Sequence, residues 1–220
     1  WAFPRGRDRS LIAAADAYLG QLRASGDLAH IMDRYYGHKI KFDYASTRRF
    51  IRDYQRHFPR YRRVFLEAAE RSGIDWRLLA AVGYQESRWD PTAISPKGAQ
   101  GIMMLTGDTA RLIGVADPMD ASQSIMGGAK YLWRMLRRVE RLSPDIPEKD
   151  AQWMALAAYN MGYGHLLDAR RLTAMQGGNP DRWVDMRTHL PLLMERRHYS
   201  KLRWGYARSA ETLAYVRNIR

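Results

Sequence analysis

Cysteine is absent from the 220 residues, which excludes thiol catalysis, disulfides and cysteine-ligated metal sites. A chain without cysteine suits either a reducing cytosol or a periplasm. Long hydrophobic runs are also lacking. No window reaches 18 consecutive apolar residues, so the sequence offers no membrane-spanning helix. The six histidines form neither an HExxH motif nor an i, i+4 pair, which argues against a metal site, and no cofactor is expected. The glycine-rich loops GxxxxGK[ST] and GxGxxG and the elbow GxSxG are missing, so nucleotide binding and serine-hydrolase chemistry find no support. Acidic residues are in short supply: 23 Asp and Glu stand against 36 Lys and Arg, a formal net charge of +13. That balance favours a polyanionic partner, whether nucleic acid, an anionic membrane surface or a carboxylate-rich polymer. The arginines are spread along the chain and do not choose among these.

What is present is enough for a core. With 46% apolar and 11% aromatic residues, the chain suits one large domain, or a domain with a small appendage. It begins at Trp1 with no initiator Met, charged n-region or apolar h-region, and is therefore expected to be a mature or cut piece of a longer chain. The segment WAFPRG reads as extended, broken by Pro4 and Gly6. Leu11, Ile12, Ala15, Tyr18, Leu19 and Leu22 then follow helical spacing after Ser10, a candidate N-cap, and stop near Ser25-Gly26. A short second helix, LAHIMDRYY, is expected to run to Gly37. Periodicity fades over residues 38–50, which places a boundary there, with a linker at 41–54.

Beyond the linker the reading is helical. RYRRVFLEAAERSG is expected to end at Gly73, and Asp75 to cap WRLLAAVGYQES. Further helices are expected near 106–113, 122–142, 147–161, 163–175 and 208–218. No alternating strand pattern of useful length follows residue 50.

Glu86 falls in the last turn of the helix that Asp75 opens, beside Tyr84 and Trp89. The negative end of the helix dipole and apolar surroundings both raise a carboxyl pKa, as a general acid working near neutrality requires. The alternative is a solvated glutamate at a helix end, and spacing alone leaves both open. The loop from Trp89 to Gly101 is stiffened by Pro91 and Pro96 and freed at Gly98 and Gly101, with Ser95 between them. It reads either as a cleft wall or as a plain helix connection. In ALAAYNMGYGHLL, residues 155–167, Tyr159 and Asn160 offer hydrogen-bonding groups suited to sugars or peptides. The same Asn160 and Gly162 also suit a helix C-cap. The cationic, aromatic stretch ERRHYSKLRWGYARS at 195–209 has the charge and rings for nucleic acid, but it reads better as exposed surface and groove wall, and no nucleic-acid partner is expected.

The run ESRWDPTAISPKGAQGIM, from Glu86 to Met103, resembles the signature of lytic transglycosylases of the soluble (Slt-like) group, E-S-x-aromatic-x-P-x-A-x-S-x-x-G-A-x-G-L-M, with Ile102 in place of Leu. Ala158-Tyr159-Asn160-x-Gly162 resembles that family's A-Y-N-x-G element. Glu211 through Tyr215-Val216 to Ile219 is similar to its closing E-T-x-x-Y-V-x-x-I. One position departs: Met104 stands where the family commonly has glutamine, which removes any substrate hydrogen bond made by that amide. The M-M-L-T variant is similar to a membrane-bound branch of the family, in which a family 3 periplasmic solute-binding domain precedes the catalytic one. Residues 1–40 resemble the end of such a domain.

The resemblance implies a mainly α chain: a lysozyme-like helical catalytic domain at 55–220, preceded by the C-terminal remnant of an α/β solute-binding domain at 1–40. The rest of that domain is implied as a partner outside this chain. The implied location is the periplasm, at the bacterial outer membrane, with any membrane attachment in parts outside these residues. The implied reaction is non-hydrolytic cleavage of the β-1,4 bond between N-acetylmuramic acid and N-acetylglucosamine in peptidoglycan, whose glycan strands and stem peptides are the partners. Glu86 would be acid and then base, leaving a 1,6-anhydromuramoyl end. Ser87, Ser95, Met104, Tyr159, Asn160 and Tyr215 would support or bind substrate, with Ser95 and Tyr215 expected as hydrogen-bonding partners of Glu86 or of the sugar. A hydrolase on the same fold would need a second carboxylate, Asp90 or Asp108, facing Glu86. A non-catalytic module would bind the glycan without cutting it.

Overall fold

The computed structural model describes residues 9–25, 27, 28, 31, 32 and 44–219. The chain divides into two compact units, Trp1–Ile40 and Lys41–Arg220. The expected extended segment at 1–6 and most of the expected helix at 28–36 lie outside the described residues. In the first unit, helix α1 spans Ser10–Ala24, with Arg9 rather than Ser10 in the N-cap position. Only Ala15 of α1 is buried.

The second unit opens with a helix where the sequence suggests a linker: α2, Tyr44–Arg56. The scattered basic residues hide its pattern, which emerges only when Phe50, Tyr54 and Phe58 are taken together at i, i+4 spacing. The Tyr54 and Phe58 rings stack with centroids 5.0 Å apart, which carries α2 onto α3, Phe58–Ser72. Gly73 ends α3 in the left-handed region, as expected. Helix α4, Trp76–Ser87, starts where Asp75 accepts the Arg77 N–H at 2.7 Å. There follow α5, Gly107–Ile113, capped by Thr106, and α6, Ala121–Glu140, capped by Asp120. Helices α7, Glu148–Met161, and α8, Tyr163–Met175, meet at Gly162.

The spacing predicts no helix between 176 and 207, yet the structure has α9, Trp183–His189, a 3₁₀ turn at Leu190–Met194, and α10, Arg196–Tyr199. Each is two turns or fewer, too short for a 3.6-residue period to show. The last helix is α11, Ser209–Ile219. Among the described residues the only β-type pairings are isolated bridges in the loop after α4, Ile94 with Gln100 and Gln100 with Leu105.

Helix α7 is the axis of the unit, in contact with α6, α8 and α11. Ala151, Met154, Ala155, Leu156, Ala157 and Ala158 are all buried. A helix apolar on most sides belongs inside, and its four buried alanines let neighbouring helices come close. Each fully buried Leu or Met adds about 1.5–3 kcal/mol. At α6, a Cβ on Gly128 would meet the Met103 side chain at 2.6 Å, so glycine lets α6 approach the turn at 101–105. Alpha4 and α11 also touch, and their contact makes the site.

Candidate active site

Helix α4 buries Leu79, Ala80, Val82 and Gly83, which leaves Glu86 on the last turn at the rim of the core. The helix then stops abruptly. Arg88 and Trp89 are successive non-glycine residues at positive φ, 58° and 62°, each costing about 1 kcal/mol or more. The Arg88 N–H donates to the Tyr84 carbonyl at 2.8 Å. The Trp89 indole N–H donates to the Ala80 carbonyl at 2.9 Å. Trp89 is buried among Phe50, Tyr54, Phe58 and Tyr84, and this ring cluster holds the strained exit in place.

Tyr215, buried on α11, donates its hydroxyl to Glu86 Oε1 at 2.7 Å. Burial raises the Glu86 pKa to about 7, and the Tyr215 hydrogen bond opposes the rise. The same surroundings push the Tyr215 phenol well above its usual value, through burial first and the Glu86 charge second. The Tyr159 phenol is raised likewise, by burial and then by Glu86 and Tyr131. Tyr159 donates to the Met103 carbonyl at 2.7 Å. A carboxyl that titrates near neutrality, ringed by phenols that do not, is equipped to give and to take a proton.

The GIMML turn forms the opposite lip. Its geometry requires Gly101: φ is +76° and a Cβ there would fall 1.8 Å from the Pro118 carbonyl oxygen. The Met103 N–H donates to Ser124 Oγ at 3.2 Å. Ser87 Oγ donates to the Ile102 carbonyl at 2.9 Å and accepts the Asp90 N–H at 3.1 Å. Ser87 thus ties the end of α4 to the turn. A groove of about 610 Å³ results, lined by Glu86, Ser87, Met104, Arg49, Arg88 and Asn218 among others.

Of the expected residues, Glu86, Ser87 and Met104 line this groove, Tyr215 holds Glu86, and Tyr159 holds the turn. Asn160 accepts the Thr212 hydroxyl at 2.8 Å, fastening α7 to α11, while Gly162 at φ 93° ends α7. Ser95, expected as a partner of Glu86 or of the sugar, makes its hydrogen bond elsewhere than Glu86. Its hydroxyl accepts the Ala99 N–H at 3.0 Å and closes its own loop. The expected rival carboxylates are also occupied elsewhere: Asp90 accepts from the Thr92 N–H and hydroxyl, and exposed Asp108 pairs with Arg111. Neither lines the Glu86 groove, whose lining contains no second carboxylate. Sequence reasoning misses Arg49, because scattered basic residues hide the helical pattern of α2, and Asn218, whose amide donates to Gln85 at 3.3 Å. Among the described residues no group of three His, Asp or Glu is placed to hold a metal.

Comparison with known proteins agrees with this architecture. Residues 63–181, more than half of the chain, match the family model described as Transglycosylase SLT domain. The chain is 54% identical over 220 residues to membrane-bound lytic murein transglycosylase F 1 of Alkalilimnicola ehrlichii, covering all of this chain and 44% of that protein. It is 50% identical over 220 residues to membrane-bound lytic murein transglycosylase F of Idiomarina loihiensis, covering all of this chain and 47% of the relative. The chain therefore spans less than half the length of these curated relatives. Among solved structures, an inactive mutant of lytic transglycosylase Slt from Pseudomonas aeruginosa matches with a TM-score of 0.50 and 22% identity, over 72% of this chain and 22% of that one. This likeness shows the lysozyme-like helical fold. On the extent of the family match, the chain belongs to the transglycosylase SLT domain family.

Proposed function

We propose that this chain cleaves the β-1,4 bond between N-acetylmuramic acid and N-acetylglucosamine in peptidoglycan, without water; its relatives carry the name lytic murein transglycosylase. The observation that carries this reading is Glu86: a carboxyl with a pKa of about 7, held by one phenol, in a groove lined by no other carboxylate. Glycoside hydrolysis ordinarily needs two carboxylates, and a single one suffices when the substrate supplies the other groups. Protonated Glu86 gives its proton to the glycosidic oxygen as the C1–O bond breaks, while the substrate's N-acetyl oxygen supports C1. The resulting carboxylate takes the proton of the muramic acid C6 hydroxyl. O6 then bonds to C1 and yields a 1,6-anhydro end. Tyr215 positions the carboxyl, Ser87 and Tyr159 fix the turn that carries Met104, and Asn160 fixes α11 through Thr212. Residues 1–40 fit the end of a solute-binding domain, and the working place is the periplasmic face of the cell envelope.

Mass spectrometry of digested peptidoglycan tests the reaction, because an anhydro end is lighter than a reducing end by one water. Reducing ends would establish a hydrolase instead. Binding with neither product would establish a non-catalytic module.

A further inference from the structure

Helix α2 lies outside the residues that match the family model, yet rings seat it firmly beside the Glu86 groove. Phe50 meets Tyr84 edge-on at 5.0 Å and Trp89 at 6.2 Å, and Tyr54 meets Trp89 at 6.3 Å. The consequence is a particular placement of arginines. Arg49, Ser87 and Arg88 line both the Glu86 groove and a separate, adjoining hollow of about 650 Å³. The hollow is further lined by Arg52, His57 and Arg60.

Among the described residues no ion pair engages Arg49, Arg60 or Arg88, and Arg52 makes only a long one, 3.8 Å to Asp53. Asp53 already accepts the Tyr84 hydroxyl at 3.2 Å. Asp90, the other carboxylate there, is turned to Thr92. Four guanidiniums thus outnumber the two carboxylates that line the hollow. Such a surface fits anions that guanidinium can grip through two parallel N–H donors, carboxylates above all.

We propose that this arginine-lined hollow binds the carboxylates of the stem peptide carried by the sugar at Glu86, so that α2 selects peptide-bearing strands over stripped ones. The proposal rests on the peptidoglycan reading above and adds a specificity element supplied by a helix outside the family match. Stripped strands keep the lactyl carboxylate of each muramic acid, so the preference reports the stem's own carboxylates.

Binding and cleavage are measured separately. Binding of soluble glycan strands, peptide-bearing or amidase-stripped, is measured by isothermal titration calorimetry in the Glu86→Gln background. Peptide-bearing strands are expected to bind about five- to tenfold more tightly than stripped ones, a range set by two partly exposed charge pairs. Adding Arg49→Gln with Arg60→Gln brings the ratio towards one, and Arg49→Lys with Arg60→Lys restores part of it. The same charge change at exposed Lys149 and Arg171, on α7 and α8, leaves the ratio in place. Equal binding to both materials, or a preference that survives the paired Arg→Gln change, overturns the proposal. Parallel digestion by the Glu86 chain is scored for anhydro ends. Their absence from both materials sinks the catalytic reading, while the binding ratio still decides the role of the hollow.

Discussion

Two carboxylates of this protein, buried Asp168 and half-buried Glu86, meet opposite surroundings. Asp168, on α8 and 3% exposed, accepts the backbone N–H groups of Arg203 at 3.3 Å and Trp204 at 2.7 Å. Glu86 accepts one phenol hydroxyl. A backbone N–H only donates, so Asp168 serves as a fixed clasp that pins the 203–204 segment to α8. A hydroxyl both donates and accepts, so Tyr215 can satisfy Glu86 as carboxylate and, after rotating, as acid. The difference separates a carboxylate that holds structure from one that can change state without losing its partner.

The largest test of that contrast is Glu86→Gln, which keeps shape and the Tyr215 contact but cannot carry the proton. Turnover is expected to fall by about a thousandfold, measured as release of anhydro ends, with the circular dichroism spectrum unchanged. Retained anhydro products would remove Glu86 from the chemistry. Next comes Asp168→Ala, which strands two N–H donors. A loss of about 2–5 kcal/mol is expected in urea unfolding, and an unchanged midpoint would show that Asp168 clasps nothing.

The third test concerns stability. The folded chain holds the Glu86 proton more tightly than the unfolded chain, with a pKa of about 7 against a usual 4.5. The ionised carboxyl therefore costs nothing below about pH 4.5, an increasing amount as pH rises towards 7, and a constant amount above. Glu86→Gln is accordingly more stable than the parent by up to about 3 kcal/mol at pH 8 and gains nothing at pH 4. A gain that is the same at both pH values would break the link. The smallest effect is that of Tyr215→Phe. It removes the hydrogen bond that favours the ionised form, so the limb of kcat/KM near pH 7 is expected to move up by about one unit. A limb that moves down would reverse the role given to Tyr215.

How much of this was legible in the sequence follows from the range of each interaction. Local signals read true: Asp75 caps α4, Gly73 ends α3, and Glu86 lies in the last turn of α4. The partnership of Glu86 with Tyr215 spans 129 residues. No periodicity reports such a contact, and only the family resemblance suggested it. Ser95, which the resemblance offered to Glu86 or to the sugar, accepts the Ala99 N–H of its own loop, a contact that no motif reports. Helix α2 was obscured because its basic residues mask an aromatic stripe whose partners, Tyr84 and Trp89, lie in another element. The clasp of Asp168 on backbone N–H groups carries no side-chain pattern at all.

The contact between Glu86 and Tyr215 also bears on how the protein comes into being. Within its unit, α11 follows every other helix in chain order. A ribosome therefore delivers the carboxylate long before the hydroxyl that completes its setting. Until α11 is made, Glu86 has no Tyr215 hydroxyl to hold it. The acid proposed to cut the glycan therefore lacks its positioning phenol until the last helix of the unit has been made.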